Sequence, residues 1–192
     1  MLNKKAAMFG LDARIALAIF GALSVISGAA LYSAIEQSKY VAASTILSES
    51  AKAVEQYMLD TGSDFPFVSG VGYEVKQLVE STAPGWKGPY VTYKTHATRT
   101  DVLYIPNFLG ADGIMHLYNC KAGETDCQPC DNTTNCEVWL KFMNYSEETY
   151  NKLDEYIDNS DGLTAGKIRV KESVAGNVNS RLYYKVMDSR LY

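Results

Sequence analysis

The rule governing apolar positions changes twice along this chain. Ile15 through Ile35 is a run of 21 residues with no charged side chain, no Pro and no His. A helix built from it is greasy on every side and, at 1.5 Å rise per residue, reaches ~30 Å, the hydrocarbon thickness of a bilayer. A core helix of a soluble protein of that length normally turns a polar side to water, so the block predicts a membrane span. From Ser33 to Leu59 there is again no Gly or Pro, but Tyr40, Ala43, Leu47, Ala51, Val54 and Met58 now recur at steps of three and four. That spacing draws one apolar stripe, with Glu36, Lys39, Glu49, Lys52 and Glu55 on the other side. Asp60-Thr61-Gly62 is a stop signal. One rod is therefore expected from about Ile15 to about Leu59.

Beyond the rod the period shortens. Apolar and polar residues alternate over Asp101–Ile105, Ile114–Tyr118 and Glu137–Phe142, and two shorter runs follow at Lys167–Lys171 and Leu182–Lys185. These predict strands. A short helix is expected over Tyr73–Ser81 and a second over Ser146–Ile157, with Ser146 as N-cap, Glu147 and Glu148 in the first turn, and Tyr150, Leu153 and Ile157 as its apolar stripe. Asp112-Gly113 reads as a turn between strands. The fold class is α+β: a long N-terminal helix, its second half packed on an antiparallel sheet.

A length of 192 residues suits one globular domain with an appendage, and the formal charge of -4 offers no general pull toward nucleic acid. The charge is unevenly placed. Lys4, Lys5 and Arg14 against Asp12 put +2 ahead of the apolar block and leave -6 behind it. The positive-inside rule then holds the short N-terminus in the cytoplasm and the rest across the membrane. Ser27-Gly28-Ala29-Ala30 imitates the cleavage site of an ordinary secretory signal and is the processing alternative.

Cys120, Cys127, Cys130 and Cys136 fall within 17 residues between two predicted strands. An even count on the exported side favours disulfides. Of the three pairings, a nested one is preferred, with Cys120 to Cys136 closing the hairpin neck and Cys127 to Cys130 at its tip. Zinc binding and a Cys127-Gln-Pro-Cys130 redox pair are the competing readings, weakened by the single C-x-x-C and by its polar loop.

The basic leader ending at Gly10, followed at once by an apolar helix, resembles the start of type IV prepilins and type II secretion pseudopilins. Gly85-Trp86-Lys87-Gly88-Pro89-Tyr90 is similar to the segment that follows the long helix in many of them. Leu153 through Gly162, then Thr164, Gly166 and Arg169, resembles the family's late Asp-Asp-Gly, Thr-Gly, Arg segment. The resemblance implies a pilin-like fold and a division into a leader (1–10), a transmembrane and filament-core half-helix (11–35) and an exported head (36–192). It implies cleavage between Gly10 and Leu11 by a prepilin peptidase, with methylation of Leu11. It further implies an inner-membrane protein with its head in the periplasm, later part of a filament, whose partners are homologous pilin-like subunits, the peptidase, an inner-membrane assembly platform and the bilayer. One departure stands out: the family usually has Glu as the fifth mature residue, and here that position is Ile15. Asp12, the second mature residue, is the candidate substitute partner for a neighbour's N-terminal amine but is not assigned that role, and a minor or divergent subunit is the expectation.

No catalytic constellation emerges. His96 and His116 lack any ligand spacing, and there is no G-x-S-x-G or phosphate-binding loop. A non-enzymatic subunit follows. Asn132 and Asn144 begin glycosylation-like triplets and read as surface loops. Asp154, Asp158 and Asp161 gather oxygen ligands suited to calcium, and the family resemblance supports that cofactor, although a solvated helix end accounts for the same carboxylates. The remaining alternatives are a membrane-tethered periplasmic binding or assembly protein that never polymerises, and a tethered thiol oxidoreductase.

Overall fold

A computed structural model describes residues 4–69, 72–122, 127, 130, 135–143, 147–171 and 181–189. The chain divides into two compact units, Met1–Lys39 and Tyr40–Tyr192. Helix α1, Lys4–Thr61, supplies the first unit with its residues up to Lys39 and the second with the remainder.

Within the first unit α1 has no inside. Leu17, Phe20 and Val25 are each at least 70% exposed, and Leu11, Ile15, Ile19, Leu23, Ile26, Leu31, Tyr32 and Ile35 are exposed as well. Among the described residues α1 is the one helix long and apolar enough to cross a membrane.

In the second unit α1 acquires a buried face. Ala43, Leu47, Ala51 and Val54 of the expected stripe are buried, while Tyr40 and Met58 pack partly against the core. The face is wider than the stripe, because Ser50, Ala53 and Tyr57 are buried too. Ser50 is tolerated inside since its hydroxyl lies 2.9 Å from Tyr93 OH. Tyr57 stacks on Phe65 with ring centroids 4.0 Å apart. The helix stops at Thr61 because Gly62 turns into the left-handed region (φ 64°) and donates its N–H to the Met58 carbonyl, 3.0 Å away.

The sheet is antiparallel. Its strands are β1 Phe67–Ser69, β2 Gly72–Tyr73, β3 Lys94–Thr95, β4 Leu103–Phe108, β5 Ala111–Lys121, β6 Cys136–Met143, β7 Ile168–Lys171 and β8 Arg181–Ser189. The order is β1-β2-β5-β6-β8-β7, with β4 also on β5 and β3 on β4. All five expected strands are present, most of them longer than the alternation indicated. Helix α2, Glu147–Asp158, matches the second expected helix, and its proposed cap Ser146 lies outside the described residues.

Two expectations are corrected. Tyr73–Ser81 is no helix: Tyr73 belongs to β2, and only one 3-10 turn, Val75–Leu78, follows. Val75 and Leu78, three apart, are the two residues it buries, which a single three-residue turn satisfies. Asp112-Gly113 is not the turn either. The hairpin closes at Leu109-Gly110, both with positive φ (55° and 89°), and Phe108 faces Ala111 across it. Asp112 and Gly113 lie inside β5, where Asp112 Oδ1 accepts from the Asn107 N–H at 3.2 Å.

Strand alternation separates two environments. Val138, Leu140 and Phe142 of β6 join Met115, Leu117, Leu182 and the α1 stripe in the main core. Glu137, Trp139 and Lys141 lie on the opposite face. They are buried as well, with His116, Cys120 and Tyr183 across the neighbouring strands.

Candidate functional site

Gly10, Leu11, Asp12 and Ile15 are consecutive-turn residues of α1, all exposed. A Cβ built on Gly10, Gly21 or Gly28 meets nothing within 4 Å. Glycine costs a helix ~1 kcal/mol against alanine, and no described atom of this chain demands it at these three positions.

The Gly85–Tyr90 segment is a strap across the last turn of α1, and its anchor is a residue that sequence reasoning treated only as a stop signal. Asp60 accepts from Lys87 Nζ through Oδ1 and from Tyr90 OH through Oδ2, both at 3.0 Å. The Lys87 ammonium, followed by Gln56, holds the Asp60 carboxyl below its ordinary pKa. Trp86 Nε1 donates to the Gln77 carbonyl at 2.9 Å and the Tyr90 N–H to that of Leu78 at 2.8 Å. Gly85 has φ 83°, and a Cβ there would sit 2.3 Å from the Asp60 carbonyl oxygen. A Cβ on Gly88 would sit 2.6 Å from the Trp86 ring. The Gly88–Pro89 peptide bond is cis. The motif glycines are therefore required by close approach to α1 and to the indole.

The cysteines do not form the nested pairing expected. Cys120 bonds Cys127 and Cys130 bonds Cys136. The β5–β6 register gives the reason. Cys120 stands opposite Glu137 and Cys136 opposite Lys121, so the two cysteines at the hairpin neck project from opposite faces of the sheet. Each instead bonds a cysteine of the connecting segment, with Cα atoms 4.8 and 6.0 Å apart. Cys127 and Cys130 thus belong to different bridges and are no dithiol pair, and none of the four cysteines is free as a zinc thiolate.

The third expected site comes together. Ligand oxygens of Asp154, Asp158 and Asp161 lie within 4.8 Å of one another. Asp154, on α2, is 4% exposed; its Oδ2 accepts from the Gly162 N–H at 3.2 Å, while its buried Oδ1 has no hydrogen-bond partner among the described residues. Burial first, and then the charges of Asp161 and Asp158, raise the Asp154 pKa. Asp158 Oδ2 accepts two N–H groups, from Lys167 at 2.7 Å and Ile168 at 2.6 Å. Positive φ at Asn159, Ser160, Gly162 and Gly166 curls the loop back, and a Cβ on Gly166 would fall 2.6 Å from Oδ2 of both Asp158 and Asp161. The three carboxylates, one buried and one exposed, thus offer oxygen ligands of the kind a hard cation takes. Arg169, the last motif residue, sits over the Trp139 ring at 4.7 Å from its centroid.

The histidines have separate duties. His96 Nδ1 accepts from the N–H groups of Thr98 and Arg99, at 3.2 and 3.3 Å. His116 is buried, with Nδ1 3.6 Å from Asp101. Burial, with Lys141 nearby, lowers its pKa to about 4.

No protein-family model, curated protein or solved structure matches this chain.

Proposed function

We propose that this chain is a structural subunit, minor or divergent, of a type IV pilus or type II secretion pseudopilus. The observation that carries the reading is the apolar exposure of α1 from Ile15 to Ile35 on every side. Such a surface needs a non-aqueous neighbour all round. Two are available in succession: first the bilayer, with the head on the periplasmic side, then the same helices of pilin-like subunits after extraction by an assembly platform. Glycines at 21 and 28, which no described part of the chain requires, suit close helix–helix approach. Gly10, which likewise meets no steric demand from the described residues, suits the active site of a prepilin peptidase cutting before Leu11. The strap on α1 gives the Gly85–Tyr90 motif a role in the same architecture. A permanently tethered periplasmic binding protein is the second reading, since it too uses an exposed apolar helix.

Calcium is the proposed cofactor: Asp154, Asp158 and Asp161 would hold it, and it would supply structural charge neutralisation.

Intact-mass and N-terminal analysis of protein made with and without the peptidase tests the main reading. A chain starting at Leu11 and carrying one added methyl group is expected. Retention of Met1 in the presence of the peptidase, or a start near Ala29 or Ala30, rejects it.

A further inference from the structure

The acidic loop holds more than a charge cluster, because one of its carboxylates also closes an edge of the sheet. β7 is the last strand in the order and, among the described residues, pairs only with β8. An edge strand of this kind presents a row of unpaired N–H groups, a template for another chain. Here the outward N–H of Ile168 is taken by Asp158 Oδ2 and that of Val170 by the Leu163 carbonyl at 2.8 Å, while the Lys167 N–H shares the same Asp158 oxygen. Both acceptors come from the segment that carries the carboxylate trio. Among the described residues Asp158 accepts through Oδ2, from both amides.

From this arrangement we infer that a divalent cation at Asp154, Asp158 and Asp161 controls the closure of the β7 edge, with Asp158 bridging the ion and the two backbone amides. The inference rests on the calcium reading above. Its independent support is Asp154, whose buried Oδ1, beside the other two carboxylates, lacks a partner among the described residues. Without a cation the three like charges push Asp158 outward, away from the amides it caps. With one, the repulsion becomes attraction to a common centre, and the Oδ2 cap tightens. Ion occupancy and edge protection are then linked, as any two events that share a group must be.

The test is amide-resolved hydrogen exchange on full-length protein in detergent micelles, in calcium and in EGTA, with calorimetric calcium titration on the same samples. In the wild type, calcium should slow exchange at Lys167 and Ile168 by about tenfold or more, as closing free energy accrues with binding. Asp158→Asn keeps an acceptor oxygen but loses the charge. It should bind calcium weakly and show amide protection that no longer depends on calcium. Asp158→Ala should leave both amides fast-exchanging in either buffer. Asp154→Asn should lose calcium affinity yet keep both amides protected in EGTA. Calcium binding with unchanged exchange at Lys167 and Ile168 overturns the coupling and leaves the cation site standing. An absence of binding overturns the site and the coupling together.

Discussion

Helix α1 carries two kinds of apolar residue that differ in where their solvent lies. Leu23, before Lys39, is 57% exposed; Leu47, after it, is fully buried. Both are leucines on one unbroken helix, and both avoid water in the working molecule on our reading. Leu47 does so by packing in its own chain's core, and Leu23, which the described residues leave exposed, does so on that reading against lipid or a neighbouring helix. Burial inside a protomer therefore measures only part of what an apolar residue contributes. The stability of the head and the fate of the helix should respond to different substitutions.

The largest expected effect follows directly. Leu47→Ala should destabilise the head by ~2–5 kcal/mol, through lost transfer energy and the cavity left behind, whereas Leu23→Ala should leave the urea midpoint of the head unchanged. Equal shifts for the two variants would abolish the distinction. A second prediction separates the head's buried outer sheet face from the helix. The His116 imidazole binds its proton near pH 6.5 when unfolded but only at about 4 when folded. Its contribution is fully present above pH 6.5 and is lost as the pH falls toward 4, by ~3 kcal/mol at most. Lys141, Arg99 and Asp101 are the charged groups that face it. Urea melts at pH 7 and pH 4.5 should show this loss, and His116→Gln should flatten it.

Smaller effects come from glycines that look alike in sequence. Gly85→Ala forces a side chain into positive φ and onto the Asp60 carbonyl, costing about 2 kcal/mol of thermal stability. Gly21→Ala meets open space and should leave the isolated protein as stable or slightly more so, by up to ~1 kcal/mol. Filament yield measured alongside should nevertheless fall for Gly21→Ala, since the added methyl lies where another helix would approach. Unchanged yield would place Gly21 outside any packing surface.

How much was legible depended on the range of the interaction responsible. The body of the rod, its stop at Gly62 and the five strands were readable because period and turn chemistry are local, whereas the start of the helix at Lys4, well before Ile15, was not. The wider buried face of α1 was not, since Ser50 inside the core needs Tyr93, 43 residues away, to satisfy its hydroxyl. The Asp60 anchor was missed for the same reason: its partners Lys87 and Tyr90 come from a distant segment. The hairpin turn was misplaced because Leu109 takes a positive φ that leucine seldom adopts, while Asp-Gly three residues later carried the stronger turn signal. The carboxylate trio was found from its composition, but the capping role of Asp158 depends on β7 lying alongside, which no spacing announces.

The sequential pairing of the cysteines gives the chain a topological weak point. Each bridge closes its own small ring, Cys120 to Cys127 and Cys130 to Cys136. A protease nick inside either ring leaves the N-terminal and C-terminal fragments covalently joined. A nick in the linkage through Gln128 and Pro129, which belongs to neither ring, parts them, so that only non-covalent contacts, the pairing of β5 with β6 and the shared apolar core, keep the two pieces together. A nested pairing would have had no such gap.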